Sequence, residues 1–154
     1  MKTKKIILSM ALLIAGVSAG ELMAQEHLNA LMKKCESLDN VSVEVIYNKD
    51  PKTKKPEKNV VSVTFYRQEN AKLLNDFLDA FKKDREAAYR VMEEKINGKV
   101  TPSLYRFSGA GDTDITYTVE EVKSVFPKNS PHYKEKGDIR ITKVERFNYS
   151  QQGG

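Results

Sequence analysis

The sequence predicts an α+β fold, with a mainly antiparallel sheet of four to five strands and one long and one short helix packed on one face. Apolar residues recur every three to four positions in two segments, as in helices that bury one face. Elsewhere they alternate in stretches rich in valine and aromatic residues, as in strands. The strand segments are grouped rather than interleaved with helices, which favours antiparallel pairing.

The N-terminus has the composition of a secretory signal. A lysine-rich start precedes the apolar run Ile6–Ala15, and small residues then lead to a cleavage site after Ala24. A membrane-spanning helix needs about 20 apolar residues, and this run is shorter. We therefore expect a signal peptide over residues 1–24, a single α+β domain over residues 25–149 and a flexible tail over residues 150–154.

The expected location of the mature protein is periplasmic or extracellular. A bacterial lipoprotein has a cysteine directly after the cleavage site, but the only cysteine here is Cys35, so we expect no stable membrane anchor after cleavage. A single thiol forms no internal disulfide, and stability must come from the core. The formal charge of +5 falls when the lysines of the signal are removed, and so mild a surplus predicts no nucleic-acid partner.

A short helix and a hairpin are predicted first. The helix shows an apolar stripe from Leu28 to Leu38, and alternation then predicts strands over residues 41–47 and 61–66. The intervening residues 48–59 include two prolines and five lysines. Because proline lacks the donor that a sheet ladder needs, we expect a long, mobile, basic loop there.

A long helix is predicted over residues 70–96. Asn70 suits the N-cap position, and Asn97-Gly98 suits a left-handed C-cap. Apolar residues recur at helical spacing between these limits. Oppositely charged residues also lie four positions apart in the stabilising order, namely Asp79 with Lys83 and Glu86 with Arg90.

Strands return in the last third of the chain. Residues 104–107 and 115–119 are predicted to form a hairpin around a glycine-containing turn at 109–113. Residues 122–133 contain two prolines and are expected to be irregular. The final strand is predicted over residues 139–142, continuing with a slip in register towards Val144 and Phe147.

No motif in the sequence groups residues in a pattern typical of a catalytic site. His27, His132 and Cys35 match no zinc-ligand spacing, and we expect the histidines to be solvated and the thiol to pack in the core with a raised pKa. Asp112 and Asp114 lie beside glycines, but a calcium loop needs further oxygen ligands. We therefore interpret them as polar residues of a turn. We predict no catalytic residues, no metal and no cofactor. A hydrolase whose catalytic carboxylates are brought together only by the fold is the alternative.

Two features indicate a binding surface. The basic loop would steer an anionic partner, although a polar hairpin tip that protects sheet edges would have the same composition. About half of the strand aromatics would fill the core; if the rest share the open face of the sheet, they form a patch suited to a protein or a glycan. The candidate binding residues are Lys52, Lys54, Lys55, Tyr66, Tyr105 and Tyr117.

The Met23-Ala24-Gln25 end of the signal and the Val-x-Val-x-Val strand at 41–45 resemble the small exported proteins of unknown function that are common in Bacteroidetes. The resemblance would cover the whole chain and implies a periplasmic or surface location, but it transfers no catalytic residues. The expected function is that of a non-catalytic binding or interaction module in the cell envelope, with an unknown protein or glycan partner. The alternatives are a hydrolase whose site is assembled only in the fold, and a structural envelope component.

Overall fold

The computed structural model describes residues 24–122, 127–131, 133 and 137–148. The predicted signal peptide, apart from Ala24, and the predicted tail lie outside these residues, as does His132. No helix in this part of the chain is long and apolar enough to cross a membrane. The elements are helix α1 (Glu26–Cys35), strands β1 (Val41–Lys49) and β2 (Pro56–Tyr66), helix α2 (Ala71–Asp84), a 3₁₀ turn (Arg85–Ala87), and strands β3 (Arg90–Ile96), β4 (Lys99–Ser108), β5 (Thr113–Val122) and β6 (Asp138–Phe147).

The predicted α+β class and antiparallel sheet are confirmed, but the sheet has six strands, in the order β1-β2-β6-β5-β4-β3. Strand β6 lies between β2 and β5 and pairs antiparallel with both. It therefore joins the first hairpin, β1–β2, to the later strands β3–β5. Both helices pack on one face of this sheet, through a core to which they and four strands contribute buried side chains.

The long helix predicted over residues 70–96 is wrong in its second half, which supplies the additional strand. Helix α2 ends at Asp84, and β3 follows after the 3₁₀ turn. Asn97 and Gly98 have φ angles of 52° and 78°, and positive φ at both central residues is what a type I′ hairpin turn requires. An Asn-Gly pair can end a helix or turn a hairpin, and here it joins β3 to β4.

The two predicted ion pairs have different outcomes for the same reason. Lys83 Nζ lies 3.1 Å from Asp79 Oδ2 within α2, which confirms the first pair. Glu86 and Arg90 lie beyond the end of α2, in the 3₁₀ turn and at the start of β3, so the helical spacing that would bring them together does not exist.

A buried carboxylate joins the two helices. Asp84 is 3% exposed at the end of α2, and its Oδ2 accepts a hydrogen bond of 2.8 Å from the backbone N–H of Leu28 in the first turn of α1. Its Oδ1 lies 2.8 Å from Nδ1 of His27. A carboxylate is favourable at a helix N-terminus because the first N–H groups there have no partner within the helix. His27, expected to be solvated, is thus fixed by this contact.

The core is aromatic at its centre. The Phe81 ring packs edge-on against Tyr105 and Tyr117, with centroid separations of 4.9 and 6.3 Å, and Phe77 stacks on Phe65 at 6.2 Å. Cys35 is 1% exposed and burial raises its pKa to about 11, as expected for a thiol in the core.

The predicted loop over residues 48–59 is much shorter in the structure. Strand β2 begins at Pro56, which pairs with Lys49, because proline is tolerated at the first residue of a strand. The remaining turn is organised by Asp50, whose Oδ1 accepts hydrogen bonds from the backbone N–H groups of Lys52 and Thr53 at 2.7 and 2.9 Å. We refer to residues 50–55 as the basic turn.

Strand β6 continues from Asp138 to Phe147 with no register shift against β2 or β5, so the predicted slip is wrong. Lys143 therefore faces the helices, opposite Tyr117 of β5. Its Nζ donates to Asn29 Oδ1 of α1 at 2.7 Å. Burial lowers the pKa of Lys143, although Glu145 partly opposes this effect.

Replacement of Lys143 by methionine is expected to stabilise the protein by about 1 kcal/mol at pH 7, because a partly buried charge is exchanged for an apolar side chain of similar length. The folded-state pKa of Lys143 lies below its unfolded value, so the wild type gains stability as pH rises through that window, up to about 10.5. The advantage of the variant should therefore shrink in alkali. Urea denaturation at pH 7 and pH 10 tests this, and a destabilised variant at pH 7 would contradict it.

Candidate functional site

The face of the sheet opposite the helices is polar rather than aromatic. Its centre is a row of small hydroxyl side chains on adjacent strands, Ser62, Thr142 and Thr118. The Ser62 and Thr142 hydroxyl oxygens are 3.3 Å apart. Because strand residues alternate between faces, the buried strand aromatics point to the helices instead; these are Phe65, Tyr105, Phe107 and Tyr117. We call this surface the open face.

Basic side chains gather at one end of the open face, where β3 and β5 begin and β4 and β6 end. Arg106 pairs directly with Arg90 across β4 and β3, and Arg146 pairs directly with Lys58 across β6 and β2. Like charges in directly opposed positions are destabilising. We call these four residues the basic end; both pairings are unfavourable for folding except where a neighbouring carboxylate offsets the charge.

A carboxylate of β5, Asp114, organises part of the basic end. It lies opposite Arg146 and diagonally across from Arg106 in the strand register, within reach of long side chains. Arg106 Nη2 donates to Asp114 Oδ2 at 2.6 Å, and the Tyr89 hydroxyl donates to Oδ1 at 2.5 Å. The Arg106 guanidinium carbon lies 5.6 Å from the centroid of the Tyr89 ring. These contacts fix Arg106 beside an aromatic ring.

The electrostatics keep Asp114 ionised. Burial alone would raise its pKa, but the hydrogen bonds from Tyr89 and Arg106, and the charges of Arg106 and Arg146, outweigh burial and lower it. The same hydrogen bond and charge raise the pKa of Arg106. One carboxylate thus offsets part of the positive charge, and the described residues offer Arg146 and Lys58 no ion pair within 4.0 Å.

A cleft of about 500 Å³ lies over this end of the sheet, and its charged lining consists of two arginines and two carboxylates, Arg106, Arg146, Asp112 and Asp114, beside Tyr89 and Asn148. A second hollow of about 270 Å³ adjoins it and shares Arg106, Asp114 and Arg146. An arginine guanidinium binds a carboxylate or another planar anion through two parallel N–H···O hydrogen bonds. Among the described residues no three His, Cys, Asp or Glu side chains are placed to hold a metal ion. Arg106 is paired with Asp114, whereas the described residues give Arg146 no ion pair, so Arg146 is the cation that this cleft leaves for an anionic ligand.

The sequence-predicted binding residues fall in three places. Lys52, Lys54 and Lys55 lie in the basic turn, at the same end of the sheet as the basic end. Three strand spacings separate β2 from β4, or roughly 14 Å, so the basic turn flanks the cleft rather than lining it. Tyr66 lies at the opposite end of β2, where its hydroxyl donates to Gln68 Oε1 at 2.9 Å.

Tyr105 and Tyr117 do not belong to an exposed surface. They are 2% and 0% exposed because both point to the helix-covered face, where they pack against Phe81. Their hydroxyls donate to Glu93 and Gln25, respectively, within the described structure. The two tyrosines build the core, and the exposed aromatic residue near the cleft is Tyr89 instead.

Sequence reasoning missed Tyr89, Arg106 and Arg146. Tyr89 falls within the region assigned to the long helix, and the two arginines belong to strands that meet only through β5. One local signal existed for Arg106, which lies between Tyr105 and Phe107 in a predicted strand and must point away from them. No local pattern could place Arg146 near it.

A family model described as a domain of unknown function (DUF5024) matches residues 25–126. No curated protein and no solved structure matches the chain. The matched residues include Tyr89, Arg106 and Asp114, whereas Arg146 lies beyond them.

Proposed function

The chain belongs to the DUF5024 family, and we propose that it is an exported, non-catalytic binding protein of the cell envelope that captures an anionic glycan at the basic end of its open face. The observation that carries this proposal is the pair of like-charged cross-strand contacts, Arg106 with Arg90 and Arg146 with Lys58. An anion in the cleft would relieve the repulsion that folding alone leaves in place.

A glycan suits the cleft better than an acidic peptide does. Tyr89 is 57% exposed and its ring offers an apolar surface to a sugar, while its hydroxyl oxygen, which donates its proton to Asp114, is still able to accept a hydrogen bond. Ser108 and Asn148 also line the cleft and supply short polar groups beside the arginines. The carboxylate of a uronic acid would then bind the guanidinium of Arg146, on the side away from Asp114, while the shallow form of the cleft admits a chain passing along the sheet.

Export is supported by the lysine-led apolar N-terminus described above. An envelope location brings the protein among anionic polysaccharides, where the lysines of the basic turn would steer a polyanion towards the cleft. Charge of this kind acts mainly on the association rate.

Replacement of Arg146 by glutamate is expected to weaken binding of a hexameric uronic acid oligomer at least tenfold. The substitution removes the guanidinium that binds the carboxylate and adds a charge that repels it. Isothermal titration calorimetry at low salt measures the affinity. The substitution converts the pairing with Lys58 into one of opposite charge but places a second carboxylate opposite Asp114. Arg146→Gln, which adds no charge there, should therefore also weaken binding, and urea denaturation of both variants shows that a loss of binding does not come from misfolding.

The matched control is Lys99→Glu, which makes the same charge change at the other end of β4 and should leave the affinity within twofold. A neutral hexasaccharide should not bind. Equal or tighter binding of a hexaglutamate peptide would favour an acidic protein partner and contradict the glycan proposal. Unchanged affinity in Arg146→Glu would contradict the site itself. Charge reversal of Lys52, Lys54 and Lys55 together should slow association and leave dissociation unchanged.

A further inference from the structure

A second cleft lies on the helix side of the sheet, between α2 and the β3–β4 hairpin, and it has a different character. Its volume is about 590 Å³, within the range of small-molecule sites. Leu78 and Phe81 of α2 form one wall, and Val100 and Pro102 of β4 form the other. The walls are therefore apolar, in contrast to the arginine-lined cleft on the open face.

The cleft exists because the hairpin diverges from the helix. The β3–β4 pairing shifts register between Met92 and Glu93, and such a bulge bends a strand and redirects its side chains. Beyond the bulge the hairpin leaves apolar side chains uncovered, with Val100 47% and Ile96 62% exposed. This exposed apolar surface adjoins a concave site rather than a flat one.

Polar groups line one part of the cleft. Tyr105 donates its hydroxyl to Glu93 Oε2 at 2.5 Å, and Arg85 donates to the same carboxylate through Nε at 3.1 Å and Nη2 at 3.2 Å. The hydrogen bonds from Arg85 and Tyr105 lower the pKa of Glu93. Glu93 is thus an ionised carboxylate whose acceptor positions are already engaged.

The charge left unmatched at this cleft is positive. Its other carboxylate, Asp79, pairs with Lys83 at 3.1 Å. Lys82 also lines the cleft, and the described residues place no carboxylate within 4.0 Å of its ammonium group. Lys82 and Arg85 are three residues apart along the end of α2, a spacing that brings side chains to one side of a helix. An incoming anion would therefore meet Lys82, which has no ion pair among the described residues, and the N–H groups of Arg85 that do not bind Glu93.

We propose that this cleft binds a small amphipathic carboxylic acid, with its hydrocarbon part between Leu78, Phe81, Val100 and Pro102 and its carboxylate at Lys82 and the outer N–H groups of Arg85. A free carboxylate at the cleft is complementary to Lys82, whereas an ammonium group would find both acids engaged. The site shares no residue with the arginine-lined cleft and does not depend on the glycan proposal.

Decanoate is the probe, used below its critical micelle concentration with the whole mature chain, residues 25–154. Saturable binding is expected, with amide shifts in ¹H–¹⁵N spectra concentrated at residues 78–85 and 100–105. Decan-1-ol should bind at least fivefold more weakly, because it lacks the charge, and decyltrimethylammonium more weakly still. Equal or tighter binding of the ammonium compound would overturn the proposal, as would shifts centred outside the cleft or the absence of saturation.

Two substitutions separate the roles of the walls and the charge. Val100→Asp, at a strand position that is 47% exposed, should abolish decanoate binding, and Lys82→Gln should weaken it at least threefold. Lys72→Gln makes the same charge change at the start of α2 and should leave the affinity unchanged. If Lys82→Gln binds as the wild type does, the carboxylate is not recognised and the proposal fails.

Discussion

Replacement of Asp84 by alanine is expected to lower the free energy of unfolding by about 3 kcal/mol and the melting temperature by roughly 10 °C. The side chain is 3% exposed and accepts hydrogen bonds from the first turn of α1, including 2.8 Å from the Leu28 N–H. Alanine would leave that buried N–H without a partner. It would also remove a carboxylate from a helix N-terminus, where negative charge is favourable.

Thermal and urea denaturation of Asp84→Ala measure this loss, and two further variants show which property of the side chain causes it. Asp84→Asn keeps the shape but not the charge and should cost less than alanine. Asp79→Ala removes an acid of the same helix whose side chain is 60% exposed and paired with Lys83, so it should cost under about 1 kcal/mol. If Asp84→Ala costs no more than Asp79→Ala, the carboxylate does not hold α1 in place.

The elements that sequence reasoning located correctly are those whose signals are local. The stripe from Leu28 to Cys35 predicts α1 because each turn of the helix repeats it, and the alternation around Val43 and Val63 predicts β1 and β2 in the same way. Residues 85–96 were assigned to a helix because their few apolar residues fit either period. The Asn97-Gly98 signal suits both a helix end and a type I′ turn. Only the tertiary fold distinguishes the two.

The remaining errors come from one polar residue in a core-facing position and from contacts between residues far apart in the chain. Lys143 interrupts the apolar alternation of β6, so the pattern indicated a slip where the strand runs straight. The contact between Asp84 and His27 joins residues far apart in the chain, and no spacing rule predicts it. Arg106 and Arg146 likewise meet only because β5 lies between their strands. A candidate site that depends on such contacts is found from the structure and not from local sequence patterns.

Replacement of Phe81 by alanine should have the largest effect on stability, a loss of about 4 kcal/mol. Phe81 is 1% exposed and lies at the centre of the aromatic core, with its ring 4.9 Å from Tyr105 and 6.3 Å from Tyr117. Alanine removes both edge-to-face contacts and leaves a cavity between α2 and the sheet. The free energy of unfolding of a small domain is only about 5–15 kcal/mol, so the variant should be barely stable at 37 °C.

Phe81→Leu is the matched comparison, since it retains most of the apolar volume and should lose about half as much. Urea denaturation of both variants tests the ranking, and a loss below about 2 kcal/mol for alanine would show that the ring does not organise the core. Phe81 also forms a wall of the amphipathic cleft, so its variants alter stability and decanoate binding together. Val100→Asp separates the two, because it places a charge on the opposite, apolar wall of the cleft at a position that is 47% exposed. Weak decanoate binding in a variant of normal stability therefore reports on the cleft, and lost stability reports on the core.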